Sequence, residues 1–134
     1  MRYLLLTLCV LAAPRDGSVT VSGDASQPHL AADKDGAFYC VYLHGGNVVR
    51  RTSKDDGKTW SDAVIAIDAK GKAKGGMQRG PRVGVDDKKN VYVTAPLCFD
   101  EAEQAKQYPT AELWIARSAD GKTCRGHDAW PGGT

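Results

Sequence analysis

From about residue 28 onward, apolar positions come in short runs, each closed by a cluster of turn-forming residues. Phe38-Tyr39-Cys40-Val41-Tyr42, Asn47-Val48-Val49-Arg50-Arg51, Ala63-Val64-Ile65-Ala66-Ile67, Val91-Tyr92-Val93-Thr94 and Ala111-Glu112-Leu113-Trp114-Ile115-Ala116 are the clearest. β-Branched and aromatic residues are frequent in them, so each reads as a strand. Between them lie Lys34-Asp35-Gly36, His44-Gly45-Gly46-Asn47, Asp55-Asp56-Gly57 and Asp87-Lys88-Lys89-Asn90. Glycine accepts positive φ in such turns, and aspartate bonds its own turn backbone. Apolar and polar positions alternate less cleanly than in a sheet with one wet face, which suits sheets buried at least partly on both faces. No stretch carries a sustained helical period; Glu101-Ala102-Glu103-Gln104-Ala105-Lys106 is long enough for a turn or two of helix.

The runs repeat. Pro28-His29-Leu30-Ala31-Ala32-Asp33 aligns with Pro81-Arg82-Val83-Gly84-Val85-Asp86, 53 residues later. Both read Pro-x-apolar-small-x-Asp, and both lead into a turn and then a β-rich run. One unit is therefore strand, turn, strand, loop, strand, turn, strand: a four-stranded antiparallel meander in an all-β chain.

The turn that ends the third strand carries a longer pattern. Ser53-Lys54-Asp55-Asp56-Gly57-Lys58-Thr59-Trp60 reads S-x-D-x-G-x-T-W. A second, imperfect copy, Ser118-Ala119-Asp120-Gly121-Lys122-Thr123-Cys124, lies 64 residues on (Asp56 to Asp120), with one residue fewer after its serine and Cys124 in place of the tryptophan. The pattern resembles the Asp box, or bacterial neuraminidase repeat, of the sialidase-like β-propellers. That resemblance covers residues 26–124 and implies structural roles for Ser53, Asp55, Gly57, Thr59 and Trp60, and for Ser118, Asp120, Gly121 and Thr123. It also implies that each meander is a propeller blade, one over about residues 28–68 and another over about 81–134, in a partial propeller spanning 18–134. Propellers hold about 4–8 blades, so two blades leave the ring incomplete. After Thr123 the sequence has little strand character where a fourth strand belongs. The expectation is the front portion of a larger propeller; the alternative is a short chain that closes its ring by oligomerising. Unclosed blades expose apolar faces and edges and favour self-association.

Composition narrows the partners. A chain of 134 residues suits one core, and a formal net charge of +2 implies neither a nucleic-acid nor a membrane partner. The basic run Lys70-Gly71-Lys72-Ala73-Lys74-Gly75-Gly76 lacks the spacing of a phosphate loop and reads as a solvated inter-strand loop. Residues 1–13 have a basic head, an apolar stretch and small residues at Ala12-Ala13, as in a secretory signal, so a secreted or periplasmic location is expected. A buried strand is the other reading, and the run is too short to span a bilayer. Cys40, Cys98 and Cys124 have no metal-ligand spacing, and Cys40 and Cys98 read as buried thiols. No metal or cofactor is expected.

The resemblance also implies anion recognition. In sialidases an arginine in an Arg-Ile-Pro motif before a blade strand helps to grip the sialic-acid carboxylate. The match here is Arg79-Gly80-Pro81, where the first unit has Ser26-Gln27-Pro28. A guanidinium suits this task because it pairs a carboxylate bidentately and stays charged. A plain loop cation beside a strand-starting proline is the other reading. Arg82 and His29, at equivalent positions beside the prolines, are further candidates, or else polar strand-end residues. The family's mechanism uses a tyrosine nucleophile, an assisting glutamate, an aspartate acid/base and two more arginines. The aspartate is expected before the third strand of this blade, but Tyr108-Pro109-Thr110 stands there. The nearest carboxylates, Asp100, Glu101 and Glu103, occupy a connector about eleven residues longer than its counterpart. Asp100 is the acid/base candidate, and a solvated acidic loop is the alternative. His44-Gly45-Gly46-Asn47 reads as a turn rather than a proton-transfer site. The expected function is exo-glycosidic release of terminal sialic acid or a related sugar in a full-length form, with the fragment inactive. A non-catalytic secreted propeller binding glycan or protein through its loops is the alternative.

Overall fold

The computed structural model describes residues 19–73, 80–98, 101–106, 111–118 and 125–126. Strands β1 (Ser26–Ala32), β2 (Phe38–His44), β3 (Asn47–Ser53) and β4 (Val64–Ile67) form one sheet in chain order. Strands β5 (Arg82–Val85), β6 (Val91–Leu97), β7 (Glu112–Ser118) and β8 (Arg125–Gly126) form a second in the same order. Every neighbouring pair is antiparallel, so each sheet is an up-and-down meander. A single helical turn, α1 (Glu101–Gln104), lies in the β6–β7 link. The fourth strand of the second sheet departs from expectation: Arg125 and Gly126 pair with Arg117 and Ala116. An edge strand needs open backbone groups opposite it, which any residue but proline can meet.

The repeat extends to individual hydrogen bonds. Asp33 Oδ1 accepts the backbone N–H groups of Asp35 (2.9 Å) and Ala37 (2.9 Å), and its Oδ2 accepts the Tyr39 hydroxyl (3.2 Å). Asp86 repeats this with the N–H groups of Lys88 (3.0 Å) and Asn90 (2.8 Å) and the Tyr92 hydroxyl (3.1 Å). Gly36 (φ +86°) and Lys89 (φ +64°) take the same left-handed turn position. Both carboxyls sit below their usual pKa. At Asp33, loss of hydration pushes upward, and the N–H groups of Ala37 and Asp35 with the Tyr39 hydroxyl outweigh it. At Asp86 the Asn90 side-chain amide contributes most to the lowering.

The two sheets pack face to face. Tyr39, Val41, Leu43, Val48 and Ile67 of the first meet Val83, Val91, Val93, Ala95 and Ala116 of the second. β1 lies beside β5, and β4 lies against β6, β7 and β8. Arg50, opposite Val41 in the register, points into the same layer and is 1% exposed. Behind the first sheet Cys40, Tyr42 and Val49 form a smaller cluster under Val21, Ala25 and Trp60. Cys40 is buried with its thiol pKa pushed up by burial, whereas Cys98 is half-buried rather than enclosed.

Candidate functional site

The strands separate two ends of the molecule. At the turn end lie the β1–β2 and β5–β6 turns and the Ser53–Trp60 turn after β3. At the loop end lie the starts of β1 and β5, the β2–β3 hairpin, the connector after β4 and the β6–β7 link. A seven-residue strand such as β2 sets them roughly 20 Å apart.

The Ser53–Trp60 turn is built around a buried hydroxyl. Ser53, 1% exposed, accepts the Gly57 N–H at Oγ (2.9 Å) and donates to Asp55 Oδ1 (2.8 Å). Asp55 in turn accepts the Thr59 N–H (2.8 Å) and hydroxyl (2.5 Å). The chain can close so tightly because Asp56 (φ +58°) and Gly57 (φ +81°) both turn left-handed. Trp60 then folds back, its Nε1 donating to the Gly57 carbonyl (3.1 Å) while its ring lies on the Cys40–Tyr42–Val49 cluster. The Thr59 hydroxyl, the Thr59 N–H and the Ser53 hydroxyl together lower the Asp55 pKa to about 2. A carboxylate so fully engaged is a structural anchor and a poor proton donor. In the second sheet Ser118 holds the place of Ser53. Ser53 pairs with Phe38 and Ser118 with Val91, each five residues after its turn aspartate, and both serines are buried. Asp120, Gly121 and Thr123 lie outside the described residues.

At the loop end the two strand starts lock together. Gly80 and Pro81 are buried, and a Cβ on Gly80 would lie 2.6 Å from that of Gln27. Gln27 itself has φ +52°, and the β1–β2 register is irregular between Ser26 and His29. His29 Nδ1 accepts the Val83 N–H (3.2 Å), joining β1 to β5. Arg82, opposite Thr94, is exposed on the face turned away from the first sheet. Arg79 and Asp100 lie outside the described residues, as do residues 1–13 and Cys124. The structure therefore brings His29 and Arg82 to one end and sets the Ser53–Trp60 turn at the other.

Two further groups hold the loops at that end. Asn47 Oδ1 accepts the Ala69 N–H (2.9 Å), and the Ala73 N–H donates to the Gly46 carbonyl (2.8 Å), which pins the connector to the β2–β3 hairpin. Lys72 pairs with Glu101 (3.2 Å), and His44 Nδ1 lies 3.1 Å from Asp24. Glu103 pairs with Lys106, so both described acids of the β6–β7 link are engaged by lysines. Sequence reasoning did not single out Asn47, Asp33 or Asp86 as anchors. The aspartate–tyrosine spacing shared by Asp33–Tyr39 and Asp86–Tyr92 was the signal for two of them.

Among the described residues no group of His, Cys, Asp and Glu is arranged to hold a metal ion. None of the described helix is long and apolar enough to cross a membrane. No protein-family model matches the chain, and a search of curated proteins finds no match.

Proposed function

We propose that the two meanders are blades of a sialidase-like Asp-box propeller, and that the loop end recognises the carboxylate of a sialic-acid-like sugar through Arg79 with Arg82 beside it. The observation that carries this is the Asp-box bonding of Ser53, Asp55, Gly57, Thr59 and Trp60 at the end of the third strand of a four-stranded meander. The bonding and the meander come together, and either alone would be a far weaker sign. Buried Gly80 and Pro81 support the arginine's role, because they fix the backbone that immediately follows Arg79.

In a full-length sialidase-like enzyme such a site would release the terminal sugar, with Asp100 as the proposed acid/base of this blade. For the polypeptide itself we propose binding without turnover, as an exported protein. A non-catalytic glycan-binding propeller is the second reading. It is favoured by Tyr108-Pro109-Thr110 standing where the acid/base aspartate belongs.

The test is calorimetric titration of the chain with N-acetylneuraminic acid and with a neutral hexose, alongside a fluorogenic sialoside assay. Saturable binding of the acidic sugar alone is expected. Arg79→Ala should weaken it more than about tenfold, the scale of a lost charge-assisted pair. Arg79→Lys should restore little, because lysine lacks the bidentate fork. Equal affinity for both sugars, or binding indifferent to Arg79→Ala and Arg82→Ala, would refute the reading. The sialoside should stay uncleaved.

A further inference from the structure

The internal repeat assigns a counterpart to each open face of the molecule. Add 53 to the first-sheet residues that face the second sheet: Tyr39, Val41 and Leu43 become Tyr92, Thr94 and Pro96. These three do not face the first sheet. They lie on the opposite side of β6 from Val91, Val93 and Ala95, which fill the buried layer. Across the register, Thr94 stands opposite Ile115 and Pro96 opposite Leu113. So the outer face of the second sheet is the counterpart of a face that is already covered within the chain.

The converse holds for the first sheet. Val83 and Val93, buried in the layer between the sheets, correspond to Leu30 and Cys40, which stand opposite each other on the outer side of the first sheet. Val21 and Ala25 cover part of that side and leave Leu30 53% and Ile65 52% exposed. On the outer face of the second sheet Leu113 is 75% and Ile115 40% exposed. Two open apolar faces that correspond to two faces already packed on each other make a head-to-tail pair. Neither face is the counterpart of itself, so a symmetric back-to-back dimer would not repeat the internal contact.

We infer that the outer face of the second sheet binds the outer face of the first sheet of another copy of this chain, continuing the stacking of sheets from one molecule to the next. The contact is apolar at its centre around Leu113 and Ile115, with Arg82 and Arg117 towards its ends. It departs from the internal layer at one position: Arg82 replaces His29 and cannot accept the backbone N–H that His29 accepts from Val83. The inference rests on the repeat and the exposed residues, and holds whether or not the loop end binds a sugar.

Light scattering and sedimentation of the chain over the micromolar to submillimolar range test it. The mass should grow with concentration beyond a monomer. Leu113→Lys, which blocks the second-sheet face, and Leu30→Lys, which blocks the first-sheet face, should each weaken association more than about 30-fold, as loss of a hot-spot side chain does. Both residues are exposed, so each variant should keep its far-ultraviolet circular dichroism. Mixing the two variants should then restore a one-to-one dimer that grows no further, because each offers the face the other lacks. A chain that stays monomeric throughout would overturn the inference. So would association sensitive to only one of the two substitutions, or no rescue on mixing.

Discussion

Gly45 and Gly46 join β2 to β3, and adding one methyl group to each should give very different results. The hairpin closes between His44 and Asn47, with φ of +57° at Gly45 and +71° at Gly46. That is a two-residue turn of the kind that needs positive φ twice. Alanine at either position meets the left-handed penalty, about 1 kcal/mol. At Gly45 that is the whole effect, since nothing lies within 4 Å of the added carbon. At Gly46 the carbon would stand 2.3 Å from the carbonyl oxygen of Gly71 and 2.6 Å from its Cα. Gly71 cannot simply retreat: the connector around it is held through Asn47 Oδ1 to the Ala69 N–H (2.9 Å) and through the Ala73 N–H to the Gly46 carbonyl (2.8 Å). Releasing those two bonds adds about 1 kcal/mol each. Gly46→Ala should therefore lose about 3 kcal/mol in total. Urea unfolding monitored by tryptophan fluorescence measures both variants, with the slope of the transition checked for constancy. A Gly46→Ala loss within about 0.5 kcal/mol of that for Gly45→Ala, near the scatter of ordinary surface changes, would refute the account of the pinned connector.

Two more outcomes follow from the turn end. Ser53→Ala should cost about 1–3 kcal/mol, because the Gly57 N–H and the Asp55 carboxylate each lose a partner beside a buried site; a urea midpoint equal to wild type would argue against the Ser53–Trp60 turn as an anchor. Asp33, Asp55 and Asp86 all have folded pKa values below their ordinary ones, Asp55 at about 2. Their stabilisation is therefore full above an unfolded carboxyl's pKa of about 3.9 and is lost as pH falls through the folded values. Stability should fall between about pH 4 and about pH 2. Asp55→Asn should be less stable at neutral pH and lose less over that interval, and an acid profile identical to wild type would contradict the assignment.

The strands were legible because their residues are strand formers between turns of plain chemistry. The spacing of Pro28–Asp33 and Pro81–Asp86 predicts β1 and β5, and the register makes them equivalent, with Ala32 opposite Phe38 as Val85 is opposite Val91. β8 was missed because an edge pairing depends on the open backbone of β7 and leaves almost no trace in Arg125-Gly126. Arg50 was read only as part of a strand. Nothing local marks it as buried, since it faces the layer between the two sheets, opposite Val41. The pinning of the connector was equally hidden. Asn47 looks like a turn residue, and its partner Ala69 lies 22 residues away. The loop-end chemistry was the least legible part, because a side chain there matters through what converges on it from several loops.

The repeat itself separates scaffold from candidate recognition surface. At the turn end the two units keep the same residues: Asp33 and Asp86 with Tyr39 and Tyr92 make the same bonds, and Ser53 and Ser118 hold the same buried register position. At the loop end they share Pro28 and Pro81 but diverge around them. Ser26 becomes Arg79, Gln27 becomes Gly80, His29 becomes Arg82, and the Gly45-Gly46 link becomes the segment holding α1. The turn end retains side chains that complete the fold's own hydrogen bonds, and there a substitution acts on stability. The loop end holds its backbone through Gly46, Asn47, Gly80, Pro81 and the His29–Val83 bond, which leaves Arg82 exposed and able to vary without cost to the sheets. A cation exposed beside such a fixed backbone is a group that a ligand, rather than the fold, would use. Arg82→Ala should accordingly leave the urea midpoint unchanged while Ser53→Ala lowers it; a shared loss of stability would mean that the loop end is scaffold as well.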